Sequence, residues 1–376
     1  MTLPYSVKIT TELKQAMSLE NSWRALTDHA TELQCFMSWE WLSQWLHTYQ
    51  EYVVELNFIC VLYNNECVAI APFYIGNEKI LGINQKTLSL IATNEPEFCE
   101  VASEFIDIAH DKKHKQQSID IIARELKRLS HVSQFSFRDI SSHSLTYAVS
   151  QQLKTDMLSY NKRLLGYQFQ VNINSNAQLS NSFLKKKKRL LNKFNKLNKE
   201  SCQFSVASTQ KEAEKLFKHL IKLHQQRWQN KGKLGVFADK TFLQFHQEFI
   251  RKHFNSGMIV LSAIKMEEKV ISVNYSIKWQ NALYFYQSGI DDTFKPNISP
   301  GLLNHLLVID YCETNEIYQY NLLKSAQKND YKGQFSQLGN ELFNVKMLSF
   351  NRKNLFLKAL QIIKKHFKKI TEGYKK

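Results

Sequence analysis

Asp291 closes the aromatic run Tyr284-Phe-Tyr-Gln-Ser-Gly-Ile, where a carboxylate could take the proton of an attacking amine or hydroxyl. An amine that keeps its proton is no nucleophile, so transfer of a group onto nitrogen or oxygen needs such a base. Tyr284 and Tyr286 alternate with Phe285, which puts both phenols on one face of a strand, placed to protonate a leaving thiolate. Each feature has a second reading that stays open: Asp291 as a turn former beside Asp292, and the tyrosines as a sheet face packed on a helix.

His224, Arg227 and Trp228 lie three and four residues apart, and project from adjacent positions of a helix predicted over 210–229. They could form one wall of a cleft and bind substrate. The alternative is a core tryptophan, a satisfied half-buried histidine and a surface arginine. In Asn297-Ile-Ser-Pro-Gly-Leu-Leu a helix begins, and its first N–H groups and partial positive charge suit a pyrophosphate. Ser299, Gly301 and Leu302 would then form the anion site, with Gly301 admitting the phosphate close to the backbone. The other reading is an ordinary helix start with Ser299 as cap and Pro300 in the first turn. No nucleophile elbow, Walker loop or Gly-x-Gly-x-x-Gly occurs, so hydrolase, nucleotidase and Rossmann readings fall back.

The elements that must position these groups follow from periodicity. A helix over Ser38–Tyr49 places Trp41, Trp45 and Tyr49 on one face, and Leu56–Tyr63 and Cys67–Tyr74 form a hairpin across Asn64-Asn65-Glu66. Helices near Phe98–Ala109 and Ser118–Leu129, an exposed loop at His110–Gln117 and a strand at Gln134–Ile140 complete a first α/β unit. The second opens with a strand at Tyr167–Ile173, the polar Asn174–Asn181, and a helix carrying Phe183, Leu190, Phe194 and Leu197 on one face. Helices over Gln210–Gln229 and Lys240–Phe254 precede three strands, Met258–Ile264, Val270–Trp279 and Leu283–Ser288, that read as an antiparallel meander. After a loop, Asp291–Pro300, come a helix from Gly301 to about Glu313 and strands at Ile317–Leu323 and Glu341–Phe350.

The chain has 376 residues, 43% of them hydrophobic, with 11 Gly and 5 Pro, enough for two globular cores with little linker. Its boundaries are expected at 1–165, 166–350 and a tail, 351–376. The absence of an apolar run of about 18 residues or of a signal-like start predicts a cytoplasmic protein. Six scattered cysteines, without Cys-x-x-Cys, predict reduced thiols and neither disulfide nor metal.

The net charge of +16 is concentrated in two segments. Asn181–Lys199 holds eight basic residues and no acid; Asn351–Lys376 holds nine against Glu372. The run Lys185–Lys188, with Lys186 assigned to substrate binding, could meet phosphate on a carrier-linked substrate, a coenzyme or RNA, or be a solvated helix face. In the tail, Phe356, Leu360, Ile363, Phe367 and Ile370 form an apolar stripe among lysines. Such a helix either lies on an anionic membrane or docks its stripe on the second domain.

Taken in order, Phe183–Lys199, Leu223-His224 with Arg227-Trp228, Gly232, Gly235 and Phe237, Tyr284–Asp291, Ser299–Leu303, Tyr320-Asn-Leu-Leu and Tyr331-Lys332 resemble one family. It is the group of GNAT-superfamily acetyltransferases associated with cellulose biosynthesis, related to Fem-type peptidyltransferases. Phe36-Met-Ser-Trp-Glu-Trp-Leu and Val68-Ala-Ile-Ala-Pro-Phe resemble its N-terminal portion. The resemblance implies an α/β (α+β) fold of two tandem GNAT-like domains, each a mixed, mostly antiparallel sheet flanked by helices. It implies acyl-CoA, foremost acetyl-CoA, as donor and an amine or hydroxyl of an envelope or exopolysaccharide precursor as acceptor. Asp291, Tyr286 and Lys332 would be catalytic, with His224, Arg227, Trp228 and Gly301 around the site. Two departures stand out: Asn321 where the family commonly has Asp, and Ser325–Asp330 in place of a tighter turn. Two alternatives accompany this reading, a Fem-type transferase using aminoacyl-tRNA and a non-catalytic scaffold at the inner membrane.

Overall fold

The computed structural model describes residues 4–28, 30, 33–173, 181–199, 202–294, 299–334 and 336–373. Its first half comprises β1 (Tyr5–Thr10), α1 (Leu13–Met17), α2 (Glu20–Thr27), α3 (Trp39–Thr48), β2 (Glu55–Tyr63), β3 (Glu66–Ile80), β4 (Ile83–Leu90), β5 (Ala109–His110), α4 (Lys115–Lys127), β6 (Gln134–Ser141) and α5 (Leu145–Leu153). The second comprises β7 (Met157–Asn172), α6 (Asn181–Lys199), β8 (Cys202–Val206), α7 (Gln210–Gln229), α8 (Lys240–His253), β9 (Ile259–Met266), β10 (Lys269–Trp279), β11 (Ala282–Ile290), α9 (Pro300–Thr314), β12 (Gln319–Ser325), β13 (Gln337–Ser349) and α10 (Arg352–Gly373).

Among the described residues all strands join one sheet, in the order β1-β2-β3-β4-β6-β13-β7-β12-β11-β10-β9-β8, with β5 on β3. Read from either edge, the order is the same: an edge strand, a three-stranded meander, then a strand parallel to its last member. β4 pairs parallel with β6, and β11 with β12, each over three residues. The sixth strand on each side is distant in sequence from the neighbour it covers. β13 completes the first sheet against β6, β7 completes the second against β12, and the two pair antiparallel at the centre. This exchange explains why β7 begins ten residues before the strand expected at Tyr167, and why the expected division at 165/166 falls inside it.

Local chemistry accounts for most elements. Ser38 caps α3, accepting from the Trp41 N–H at 3.4 Å. The two-residue turn Asn64-Asn65 has φ of 48° and 70°, the left-handed pair that a tight hairpin requires and Asn tolerates. The expected helix at Phe98–Ala109 is absent. That segment is largely buried and irregular, with positive φ at Ala102 and Phe105, and its backbone bonds to distant partners instead. Tyr49 Oη donates to the Cys99 carbonyl at 2.7 Å, Tyr286 Oη to Val101 at 2.6 Å, and the Phe105 N–H to Asp139 at 2.9 Å. Tertiary partners thus override helical propensity. The loop expected at His110–Gln117 holds the end of β5, a short 3-10 turn and the start of α4. Of the other expected features, 174–180 and 295–298 lie outside the described residues, as do the side chains of Phe183, Phe367 and Ile370.

The halves share one core. Trp41 of α3, wholly buried, meets Phe245 and Phe249 of α8 edge-on, at centroid distances of 4.8 and 5.2 Å. Trp45 stacks on Tyr49 at 5.7 Å, and a second apolar cluster lies under α6 and α9 in the second half. The six cysteines are free, and five are buried. No helix among the described residues is long and apolar enough to cross a membrane.

Truncating a buried Trp costs about 3–5 kcal/mol, and Trp41 touches both halves. Trp41→Ala should therefore lower the denaturant midpoint while keeping one cooperative transition seen identically by fluorescence and circular dichroism. Two separated transitions in the parent chain would show that the halves unfold independently.

Candidate functional site

A cavity of about 790 Å³ opens where the halves meet, between Glu97 and Phe98 on one side and the end of α7 with the 233–239 loop on the other. Thr209 caps α7 by accepting from the Glu212 N–H at 3.2 Å, and Glu212 returns a bond to the Ser208 N–H at 2.9 Å. The other end of α7 turns through Gly232, and the loop folds back so that Gln225 Nε2 donates to the Leu234 carbonyl at 2.7 Å. Gly235, at φ 73°, is pressed so close that a Cβ would sit 2.3 Å from Gln225 Oε1. Only glycine meets both demands.

His224 is buried on this wall, edge-on to Phe237 at 5.0 Å. Its Nε2 accepts from the Trp228 indole N–H at 2.8 Å, so the ring proton sits on Nδ1 and points to Gln225 Oε1 at 3.2 Å. Burial holds the ring's pKa below its ordinary value, the Gln225 bond opposing. The imidazole is thus neutral, with both nitrogens engaged. Trp228 faces the cavity, with Lys231 and Lys233 Nζ at 5.5 and 5.3 Å from its ring. Arg227 is half-buried, and its charge acts on His224 and Tyr331.

A second group lies deeper, where β11 and β12 part. Their parallel pairing ends at Tyr284 and Asn321, after which Leu323 takes φ 58° and β12 bulges. Asn321 Oδ1 fixes the bulge by accepting from the Leu323 N–H at 2.9 Å, while its Nδ2 has no partner. At this position the side chain braces the backbone, a bond that an Asp could also accept. The N–H of Lys324, turned from the ladder, donates to both oxygens of Glu104 at 3.0 Å. Lys324 Nζ pairs with Asp139, itself at φ 54° in β6. Lys332 Nζ donates to the Leu322 and Lys324 carbonyls at 2.7 and 2.9 Å. Burial pushes the Glu104 carboxyl up to about 7 against the pull of Lys324, and pushes the Lys332 ammonium down. On the same segment, burial raises the Glu95 carboxyl to about 8, and Trp45 donates its indole N–H to it.

The remaining expected residues are placed apart from the cavity. Tyr286 is inside the core, its Oη bonded to Val101 and 3.0 Å from His246 Nε2. Asp291 is mostly buried, 2.6 Å from Lys269 Nζ and from Thr293 Oγ1, and these partners outweigh burial to hold its carboxyl below the usual range. Ser299 stands at the start of α9, and its side chain makes no capping bond. Gly301 serves packing, because a Cβ there would lie 2.5 Å from Ile290 Cδ1. Lys186 is half-buried on α6, next to Lys187, which pairs with Asp310 at 2.8 Å. Sequence reading missed Glu97, Phe98, Asp239 and Gln287 on the cavity wall and the Glu104–Asp139–Lys324 cluster. Only Asp239 carried a signal, as the cap of α8, where it accepts from the Phe242 N–H at 2.9 Å.

Glu95 supplies a pH test. A carboxyl whose pKa is raised in the folded state favours folding while protonated. Its contribution is fully present below about 4.5 and is lost as pH rises through about 8. Chemical stability should therefore fall between those limits, and Glu95→Gln should fall less steeply; parallel slopes would show that Glu95 titrates normally.

Residues 182–333 match a family model described as an acetyltransferase (GNAT) domain. No curated protein matches the sequence. Among solved structures, FemX aligns with a TM-score of 0.58 at 10% identity, covering 90% of this chain and 97% of its own. The C-terminal domain (DUF2156) of a putative lysylphosphatidylglycerol synthetase from Agrobacterium fabrum gives 0.52 at 9%, covering 89% and 92%. A conserved protein of unknown function from Bacteroides thetaiotaomicron gives 0.50 at 10%, covering 91% and 100%. At such identities the likeness is one of fold.

Proposed function

We propose that this chain, two tandem GNAT-like units with a GNAT acetyltransferase domain at 182–333, moves an acyl group from acyl-CoA to an amine or hydroxyl of an envelope or exopolysaccharide precursor. The observation that carries the reading is coincidence: nine of the eleven residues lining the cavity of about 790 Å³, all but Glu97 and Phe98, fall within the matched domain. The acceptor enters this cavity, where Glu97 and Asp239 face an amine and Trp228 and Phe98 offer apolar surface. The start of α9, at Ser299 and Leu302, suits the donor's pyrophosphate through backbone N–H groups. Gly301 supports it by seating the helix on Ile290.

Asp291, outside the cavity and next to Ile290 at the start of α9, is the proposed base, which requires the acceptor's reacting group to extend from the cavity toward the donor site. Its ion-pair partner Lys269 is 66% exposed, so its ammonium is free to move into solvent and an incoming amine can take its place. Lys332 and Tyr286 support the reaction by fixing the parting of β11 and β12, through the Leu322, Lys324 and Val101 carbonyls. Calorimetric titration should show acetyl-CoA binding more tightly than free CoA; absence of binding by any acyl-CoA would overturn the donor assignment. With the acceptor in hand, Asp291→Asn should lower kcat by about 10²-fold or more at unchanged melting temperature. Undiminished turnover would remove Asp291 as base.

A second reading concerns location. In α10, Leu357 is buried and Asn354 Nδ2 donates to the Ser133 and Ser349 carbonyls, while Leu355, Phe356, Ile362 and Ile363 are at least half exposed. Phe356 and Ile363 of the stripe are thus exposed while Leu360 between them is half-buried, and the exposed pair supports peripheral attachment to an anionic membrane. Phe356→Asp with Ile363→Asp should abolish co-sedimentation with phosphatidylglycerol vesicles without changing the melting temperature. Equal sedimentation would end this reading. A transfer-RNA donor is the third, supported by the groove of about 480 Å³ along Lys185, Lys188 and Arg189 of α6. Salt-insensitive or absent tRNA binding would count against it.

A further inference from the structure

Away from the acyl-transfer site, a second cavity, of about 500 Å³, opens in the first half between β3, the 94–97 segment and strands β6 and β13. This volume is within the range of small-molecule sites. Three polar atoms on its wall are buried without a hydrogen-bond partner: Glu95 Oε2, Arg138 Nε and Asn344 Oδ1. Glu95 is only 4% exposed, and its other oxygen is already used by Trp45. Arg138 Nε lies 3.7 Å from Asp139, too far for a hydrogen bond. A buried polar group left unmet destabilises the fold, so three on one wall mark a place built for a partner.

The wall also says what partner. It carries charges of both signs, Arg138 paired with Glu100 at 3.2 Å and Glu78 with Lys346 at 2.8 Å, with Glu51, Glu97 and Lys79 beside them, so it presents no single sign of charge to select an ion. What is unmet is hydrogen bonding of both kinds: a guanidinium N–H donor at Arg138 and an amide oxygen acceptor at Asn344. Hydroxyl groups supply both. The Tyr52 and Tyr74 rings add a flat apolar surface. We propose that this cavity binds an uncharged, hydroxyl-rich ligand of about monosaccharide size, a free sugar or the sugar unit of a larger molecule. It adjoins the first cavity through Glu97, which lines both. The assignment is independent of the acyl-transfer reading.

Saturation-transfer NMR on the full chain with D-glucose, D-galactose and N-acetyl-D-glucosamine, against D-glucuronate as the charged control, tests it. At least one neutral sugar should receive saturation. Asn344→Ala should weaken that binding about tenfold or more, and Trp228→Ala, in the other cavity, should leave it unchanged. Tyr52→Ala is the deciding variant if Asn344→Ala does not fold. No transfer to any neutral sugar, transfer to glucuronate alone, or neutral-sugar signals lost with Trp228→Ala but kept in the Asn344 or Tyr52 variant would overturn the proposal.

Discussion

The antiparallel pairing of β7 with β13, eleven residue pairs between Met157 and Gln170 on one strand and Gln337 and Ser349 on the other, ties the molecule into one body. Each of these strands is needed by the half it does not follow in sequence. Without β13 the first sheet ends at β6 with an open edge; without β7 the second ends at β12. The junction of α3 with α8 and the insertion of the 95–105 segment beside β12 both depend on the fixed relation that this pairing sets.

Within that frame, the parting of β11 and β12 creates a demand. Once Leu323 turns to positive φ, the Lys324 N–H faces away from the ladder and would be orphaned. Glu104 meets it, and in doing so carries a carboxylate into the interior, where Lys324, Lys332 and Asp139 surround it. The charges at the centre are therefore a consequence of backbone geometry, since each answers a polar group that a regular sheet would have satisfied. That same geometry holds the two cavities on either side of the 94–98 segment, with Glu97 between them.

Much of this was legible in the sequence because local periodicity and local function coincide on the same elements. The helix bearing His224 and Trp228 reads from Leu216, Leu220 and Leu223 and ends where Gly232 says it must. The meander reads from alternating apolar residues. The Phe98–Ala109 segment misled because its apolar content is helical in rhythm, while its conformation is set by Tyr49, Tyr286 and Asp139. Those partners lie far along the chain, Tyr286 by 185 positions, and are invisible to a local window. Gly301 shows a different limit. Its residue type signalled close approach correctly, but the approaching group is Ile290. Sequence could not give the strand exchange, since nothing in β7 or β13 alone names its partner.

That exchange also sets an order of events during synthesis. The first half cannot cover β6 with its native neighbour until the ribosome has added residues up to Ser349, almost the whole chain. Until then β7, emerging directly after α5, is the nearest strand able to lie against that edge. The nascent chain must hold the β6 edge free of β7, or release it, before β13 arrives, so its passage to the native state is governed by a strand made about two hundred residues after the edge it covers.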